Sequence, residues 1–209
     1  MKPDSDFFNH LGTLNNGSVL KKTYDSYKNS PNNNSFLLNG ALRSGFNLSS
    51  FLNQINQLND IFRAKNNTQL TLYRMTSSTE FTPSGAKVAL GLPFRYPAFL
   101  STTKNIQVLQ QFIPSTGTPV ILKVTCPPGT GMALMEAKNN LPNEEEILLQ
   151  SYTEYKITKS NIILDQLEIA QYLGMHNIGR HQCIYEIEMD ITQNSFHLNN
   201  VNPNDFYVF

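Results

Sequence analysis

Gln69-Leu70-Thr71-Leu72-Tyr73-Arg74-Met75-Thr76 is the stretch at which the apolar period of the chain changes from helical to two. Upstream, Val19, Leu20, Tyr24 and Tyr27 recur at helical spacing until Ser30-Pro31 breaks the run. Asn34 or Ser35 can cap a short helix carrying Phe36, Leu37, Leu38, Ala41 and Leu42, closed by Gly45. Behind Asn47 as N-cap, Leu48, Phe51, Leu52, Ile55, Leu58 and Phe62 form one apolar stripe, with Gln and Asn opposite, ending at Asn66-Asn67. Downstream, 69–76 and 98–102 read as strands, with a helix over 104–112. Residues 120–125 are nearly all apolar or β-branched, as a strand covered on both faces requires, and Pro127-Pro128-Gly129 ends the run. Residues 144–158 have room for two strands and a turn, 184–191 alternate, and 161–173 fit either helix or strand. Helices first and strands after them predict an α+β domain. The expected division is one domain over 1–209: a mainly helical lobe (1–66), a β core (67–192) and a polar tail (193–209). The tail ends in Phe206-Tyr207-Val208-Phe209, which could dock as an edge segment.

A chain of 209 residues suffices for one well-buried core and would be cramped for two. Sixteen Lys and Arg balance sixteen Asp and Glu, and they are scattered rather than striped. No field therefore favours nucleic acid or an anionic membrane as partner. No apolar stretch approaches the ~20 residues of a membrane helix. Met1-Lys2-Pro3-Asp4-Ser5-Asp6 has no apolar core, so the chain is read as cytosolic, as exported without a cleaved signal, or as starting after one. Cys126 and Cys183 fall in predicted strands and read as free thiols, with a disulfide open only if those strands are neighbours. His10, His176, His181 and His197 show no metal-ligand spacing, and no metal is expected. The asparagine runs, Asn32-Asn33-Asn34 and Asn66-Asn67, read as compositional bias rather than chemistry.

Three separated pieces can carry chemistry. Glu144 and Glu146 lie two apart in Asn143-Glu144-Glu145-Glu146-Ile147-Leu148-Leu149. On a strand both would project from one face, with Cα atoms about 6.6 Å apart, and Glu145 would point away. The alternative is an acidic turn without function. Arg74 ends the face formed by Leu70 and Leu72, and its guanidinium needs an anion because it cannot lose its charge. A diphosphate suits the fork; an internal Arg–Glu salt bridge is the competing reading. Ser101, in Phe99-Leu100-Ser101-Thr102-Thr103, offers a hydroxyl that can hold a carboxylate in one rotamer. It could equally cap the helix expected near Lys104, as could Thr102 or Thr103.

In order and rough spacing these pieces resemble the arginine-specific mono-ADP-ribosyltransferases, over residues 36–188. There an aromatic-Arg strand, an aromatic-x-Ser-Thr-Ser/Thr strand and a Glu-x-Glu strand line one cleft. Leu38-Asn39-Gly40-Ala41-Leu42-Arg43 is also similar to the Asn-x-x-Leu-Arg helix of many bacterial members. The resemblance implies a helical part followed by a two-sheet β core around a central NAD cleft, with NAD as co-substrate. It places Arg74 on the NAD phosphates, with Tyr73, Phe99, Ser101 and Thr102 also in the cofactor site. Ser101 would orient Glu146, which would bind the ribose hydroxyl and stabilise the transition state. Glu144 would grip the guanidinium of an arginine on a target protein. It further implies a monomeric effector or toxin acting in a host cell. Met75 stands where a small residue is frequent, and Leu141 where an aromatic often contacts the target. The alternatives are an NAD glycohydrolase, a catalytically dead interaction domain on the same fold, and an unrelated α+β domain. A polymer-forming transferase fits poorly, because Arg74 stands where that branch carries His.

Overall fold

The computed structural model describes residues 3–29, 33–81, 90–136 and 144–209. The helical half begins with α1 (Pro3–Thr13) and α2 (Gly17–Asn29). They meet closely: a Cβ on Gly17 would stand 2.5 Å from the Gly12 carbonyl oxygen, so only glycine fits. Helix α3 (Asn34–Ser44) ends at Gly45, left-handed with φ 71° and its amide bonded to the Ala41 carbonyl, as its sequence predicts. The stripe behind Asn47 is shorter as a helix than expected. Asn47 is itself left-handed and caps nothing; Leu48–Phe51 forms a 3-10 turn, and α4 runs only over Leu52–Asn59. Ile55, Leu58 and Phe62 are buried, whereas Leu52 is half exposed.

Ten strands follow among the described residues: β1 (Ala64–Lys65), β2 (Leu70–Ser77), β3 (Pro93–Arg95), β4 (Leu100–Thr103), β5 (Pro119–Cys126), β6 (Gly131–Leu134), β7 (Glu146–Leu149), β8 (Glu154–Ile163), β9 (Ile184–Gln193) and β10 (Tyr207–Val208). They pair in the order β10-β1-β6-β7-β4-β2-β5-β9-β8-β3. Pairing thus joins all ten in one order, where two sheets were expected. The join between β4 and β2 is a single residue pair, Thr103 with Tyr73. That junction separates two five-stranded halves and is the seam along which a cleft can open. β5 is covered on both faces, as its apolar run requires. Val120, Leu122 and Val124 join the main core under the helices, and Ile121 joins a second cluster with Met75, Leu109, Ile169 and Leu173. The second cluster is closed by α5 (Gln166–Leu173) and by the 3-10 helix Ile106–Phe112.

Several local expectations change. The 104–112 helix is 3-10 and is capped by Asn105, whose side chain accepts from the Gln107 amide, so Ser101 is not needed as a cap. The ambiguous 161–173 stretch divides into the end of β8 and α5, with Asp165 between them accepting from the Leu167 and Glu168 amides. Asn66 is structural: its amide donates to the Thr68, Cys126 and Pro127 carbonyls and its oxygen accepts from the Thr130 amide. Both cysteines are free. Cys126 closes β5, while Cys183 precedes β9 at the far end of the same parallel pair, too distant for a disulfide. Residues 206–209 do dock at an edge, β10 running parallel to β1. Among the described residues no helix is long and apolar enough to cross a membrane.

Candidate active site

Arg74, Ser101 and Glu146 sit on β2, β4 and β7, three neighbouring strands at the seam. Thr103 pairs directly with Glu146, which puts Ser101 diagonally across from it on the same face. The Ser101 hydroxyl donates to Glu146 Oε1 at 2.6 Å. These strands and helices α2 and α3 enclose a cleft of about 630 Å³ whose walls include Lys28, Asn39, Arg74, Ser101, Glu144 and Glu146.

One charge cluster lining the cleft is acidic. β7 begins only at Glu146, and Glu145 is left-handed with φ 47°, so the two glutamates do not alternate along one strand as expected. The kink instead folds Glu144 back. Its carbonyl is pinned by the Thr103 hydroxyl, and both carboxylates reach one cation, the Lys28 ammonium. Lys28 Nζ donates to Glu144 Oε2 at 3.0 Å and also to Glu146 Oε2. Burial alone would lower the Lys28 pKa; Glu146 and then Glu144 outweigh it and hold the ammonium above the ordinary lysine range. Two carboxylates and one ammonium leave one negative charge here.

A second cluster is basic. Arg74 donates to the Ser101 carbonyl at 3.1 Å and lies 3.5 Å from Glu80 Oε1. Arg43, at the end of α3, donates to the same Oε1 at 3.1 Å. Tyr96 and Thr76 hydroxyls complete the set around Glu80, at 2.6 and 2.8 Å. The internal Arg–Glu pair weighed for Arg74 therefore exists. It is incomplete, because two guanidiniums share one carboxylate and the buried Arg74 Nε has no partner among the described residues. One positive charge is left over.

The remaining candidates are placed less directly. Thr102 spends its hydroxyl on the Ile147 carbonyl, tying β4 to β7. Phe99 is 2% exposed and stacks on Phe62 with ring centroids 5.6 Å apart. Its backbone amide donates to Asn39, which links α3 to the start of β4. Tyr73 packs with the second cluster at the cleft wall. Leu141 lies outside the described residues. Nothing in the sequence singles out Lys28 or Glu80: one closes an ordinary amphipathic helix and the other sits in a polar loop, and neither belongs to a recognisable spacing.

Glu80 also carries a pH signature. Burial would raise its pKa, but Arg74, then the Tyr96 and Thr76 hydrogen bonds, then Arg43 outweigh it, and the carboxyl titrates below its ordinary range. A depressed folded-state pKa contributes stability above the unfolded-state value and loses it as pH falls through the folded one. Glu80→Gln should cost roughly 1–3 kcal/mol at neutral pH, because the hydrogen bonds to the ionised group weaken. It should also flatten the acid limb of the stability profile. Urea unfolding across an acid pH series reads both, and parallel wild-type and variant profiles would exclude the cluster as their source.

The family model described as "ADP-ribosyltransferase exoenzyme" matches residues 22–175. No curated protein sequence matches significantly. Among solved structures, Plx2a, an ADP-ribosyltransferase toxin from Paenibacillus larvae, superposes with a TM-score of 0.63 at 15% identity, covering 90% of this chain and 91% of that one. C3larvin toxin, an ADP-ribosyltransferase from Paenibacillus larvae, gives 0.61 at 17% identity, over 92% and 95%. Exoenzyme S from Pseudomonas aeruginosa, solved with human 14-3-3 protein beta and Carba-NAD, gives 0.61 at 16% identity, over 91% and 82%. At such identities the likeness speaks for the fold.

Proposed function

The chain belongs to the ADP-ribosyltransferase exoenzyme family, and we propose that it transfers ADP-ribose from NAD to an arginine of a target protein, releasing nicotinamide. The observation that carries this reading is that two clusters of opposite surplus charge line one cleft. It has surplus positive charge at Arg74 and Arg43, and surplus negative charge at Glu144 and Glu146. NAD has the complementary form, an anionic diphosphate joined to a ribose that becomes cationic as its nicotinamide departs. The unspent Arg74 Nε and a volume of about 630 Å³ suit such a ligand.

Arg74 holds the diphosphate, with Arg43 beside it. Ser101 fixes the Glu146 rotamer through the 2.6 Å hydrogen bond. Glu146 then binds the ribose hydroxyl and stabilises positive charge on the sugar, as carboxylates do in glycoside hydrolysis. Nicotinamide leaves with the electron pair of its bond to the ribose carbon. A guanidine nitrogen of the acceptor forms the new bond to that carbon and loses a proton, which Glu144 accepts. Without such help a guanidinium, with a pKa above ~12, is a poor nucleophile.

Plx2a and C3larvin are both described as toxins, and a host protein is the acceptor this reading favours. Incubation with labelled NAD, agmatine and a host-cell lysate should place label on agmatine and on arginine side chains, identified by peptide mapping. Label on another residue type would overturn the arginine assignment. A second reading, NAD hydrolysis by water, draws support from the engagement of Glu144 by Lys28. It would appear in the same experiment as free ADP-ribose without labelled acceptor.

A further inference from the structure

Lys28 places a positive charge where the reaction needs one to arrive. Its ammonium bridges Glu144 and Glu146 from the last turn of α2, and its side chain is only 9% exposed. The two carboxylates share this one cation between them. The space between them is thus a seat for a cation, and in the ligand-free chain a tethered lysine fills it. An arginine entering the cleft carries the same charge and presents a planar, pre-organised fork with five donors against the three of an ammonium.

We propose that Lys28 is a resident stand-in for the acceptor, occupying the seat between Glu144 and Glu146 until a guanidinium displaces it, and so setting acceptor affinity and selectivity. This rests on the arginine-transfer reading above. The exchange conserves the charge of the site: the lysine swings out on its flexible stem as the guanidinium enters. Because the lysine is tethered, it competes at high effective concentration. Water and weakly paired cations do not dislodge it, whereas a forked, bidentate cation does. Glu144 is thereby kept from chance amines until the proper acceptor arrives.

Affinity for a ligand whose seat is blocked falls by the fraction of molecules in which the seat is open. With Lys28 in place in nine molecules of ten, its removal tightens guanidinium binding about tenfold. Calorimetric titration of the NAD-free protein with agmatine, at about pH 8 where carboxylates stay ionised, should show that gain in Lys28→Met. Lys28→Arg, which keeps a cation and adds a fork, should bind agmatine more weakly than wild type, and this arm survives if the methionine variant folds poorly. The KM for agmatine in the transfer assay should move in the same two directions. Equal or weaker agmatine binding by Lys28→Met would overturn the proposal even with arginine transfer established. Tighter binding without transfer by any variant would uphold the seat and overturn the arginine reading instead.

Discussion

Glu146→Gln is expected to lower NAD hydrolysis and ADP-ribose transfer together by roughly 10²–10³-fold, the scale on which positioned groups stabilise developing charge. The substitution keeps the side-chain shape, and an amide oxygen can still accept from Ser101, which now reaches the carboxylate at 2.6 Å. What is lost, on the proposed reading, is the negative charge beside the ribose. Lys28 retains Glu144 as partner, so no buried ammonium is left unpaired and the heavy cost of breaking a buried ion pair is avoided. Thermal unfolding should therefore change little while single-turnover NAD cleavage collapses. A folded variant with near-wild-type cleavage would show that charge at position 146 does not act on the sugar, and the acidic cluster of the cleft would need another explanation.

The sequence announced the order of elements well and their joints poorly. Long periodic segments such as α2 and β5 carry their own signal, because the face they bury repeats along them. β1, β3 and β10 are two or three residues long and are held by their neighbours, so no period exists to read. Arg74, Ser101 and Glu146 were legible because each stands in a strand whose pattern fixes its face. Glu144 belongs to the site for a reason that strand alternation does not contain. Its convergence with Glu146 depends on the left-handed Glu145 and on Lys28 from a helix more than a hundred residues earlier. Lys28 and Glu80 are the counter-ions of the site. Their partners come together only through tertiary contact, and nothing local marks a lysine or a glutamate as destined for one.

Glu144→Gln should separate the two chemistries that share this cleft. The amide keeps the shape, and the Thr103 hydroxyl still holds the backbone carbonyl, so the kink at Glu145 survives. On the proposed reading Glu146, Ser101 and Arg74 still bind and activate NAD. On that reading the variant loses the charge that pairs with the acceptor guanidinium and the base that takes its proton. General-base assistance is worth about 10²–10⁴-fold, and transfer to agmatine should fall on that scale. Hydrolysis uses water, which needs no second charge pairing, and should fall by less than about tenfold. Measuring nicotinamide release with and without agmatine separates the two rates in one preparation. A joint collapse would mean that Glu144 helps to activate NAD, and that the carboxylates act as one unit around Lys28 rather than by division of labour. Unchanged transfer would mean that the acceptor is not held by Glu144, and Glu145 or a residue outside the described segments would have to serve it.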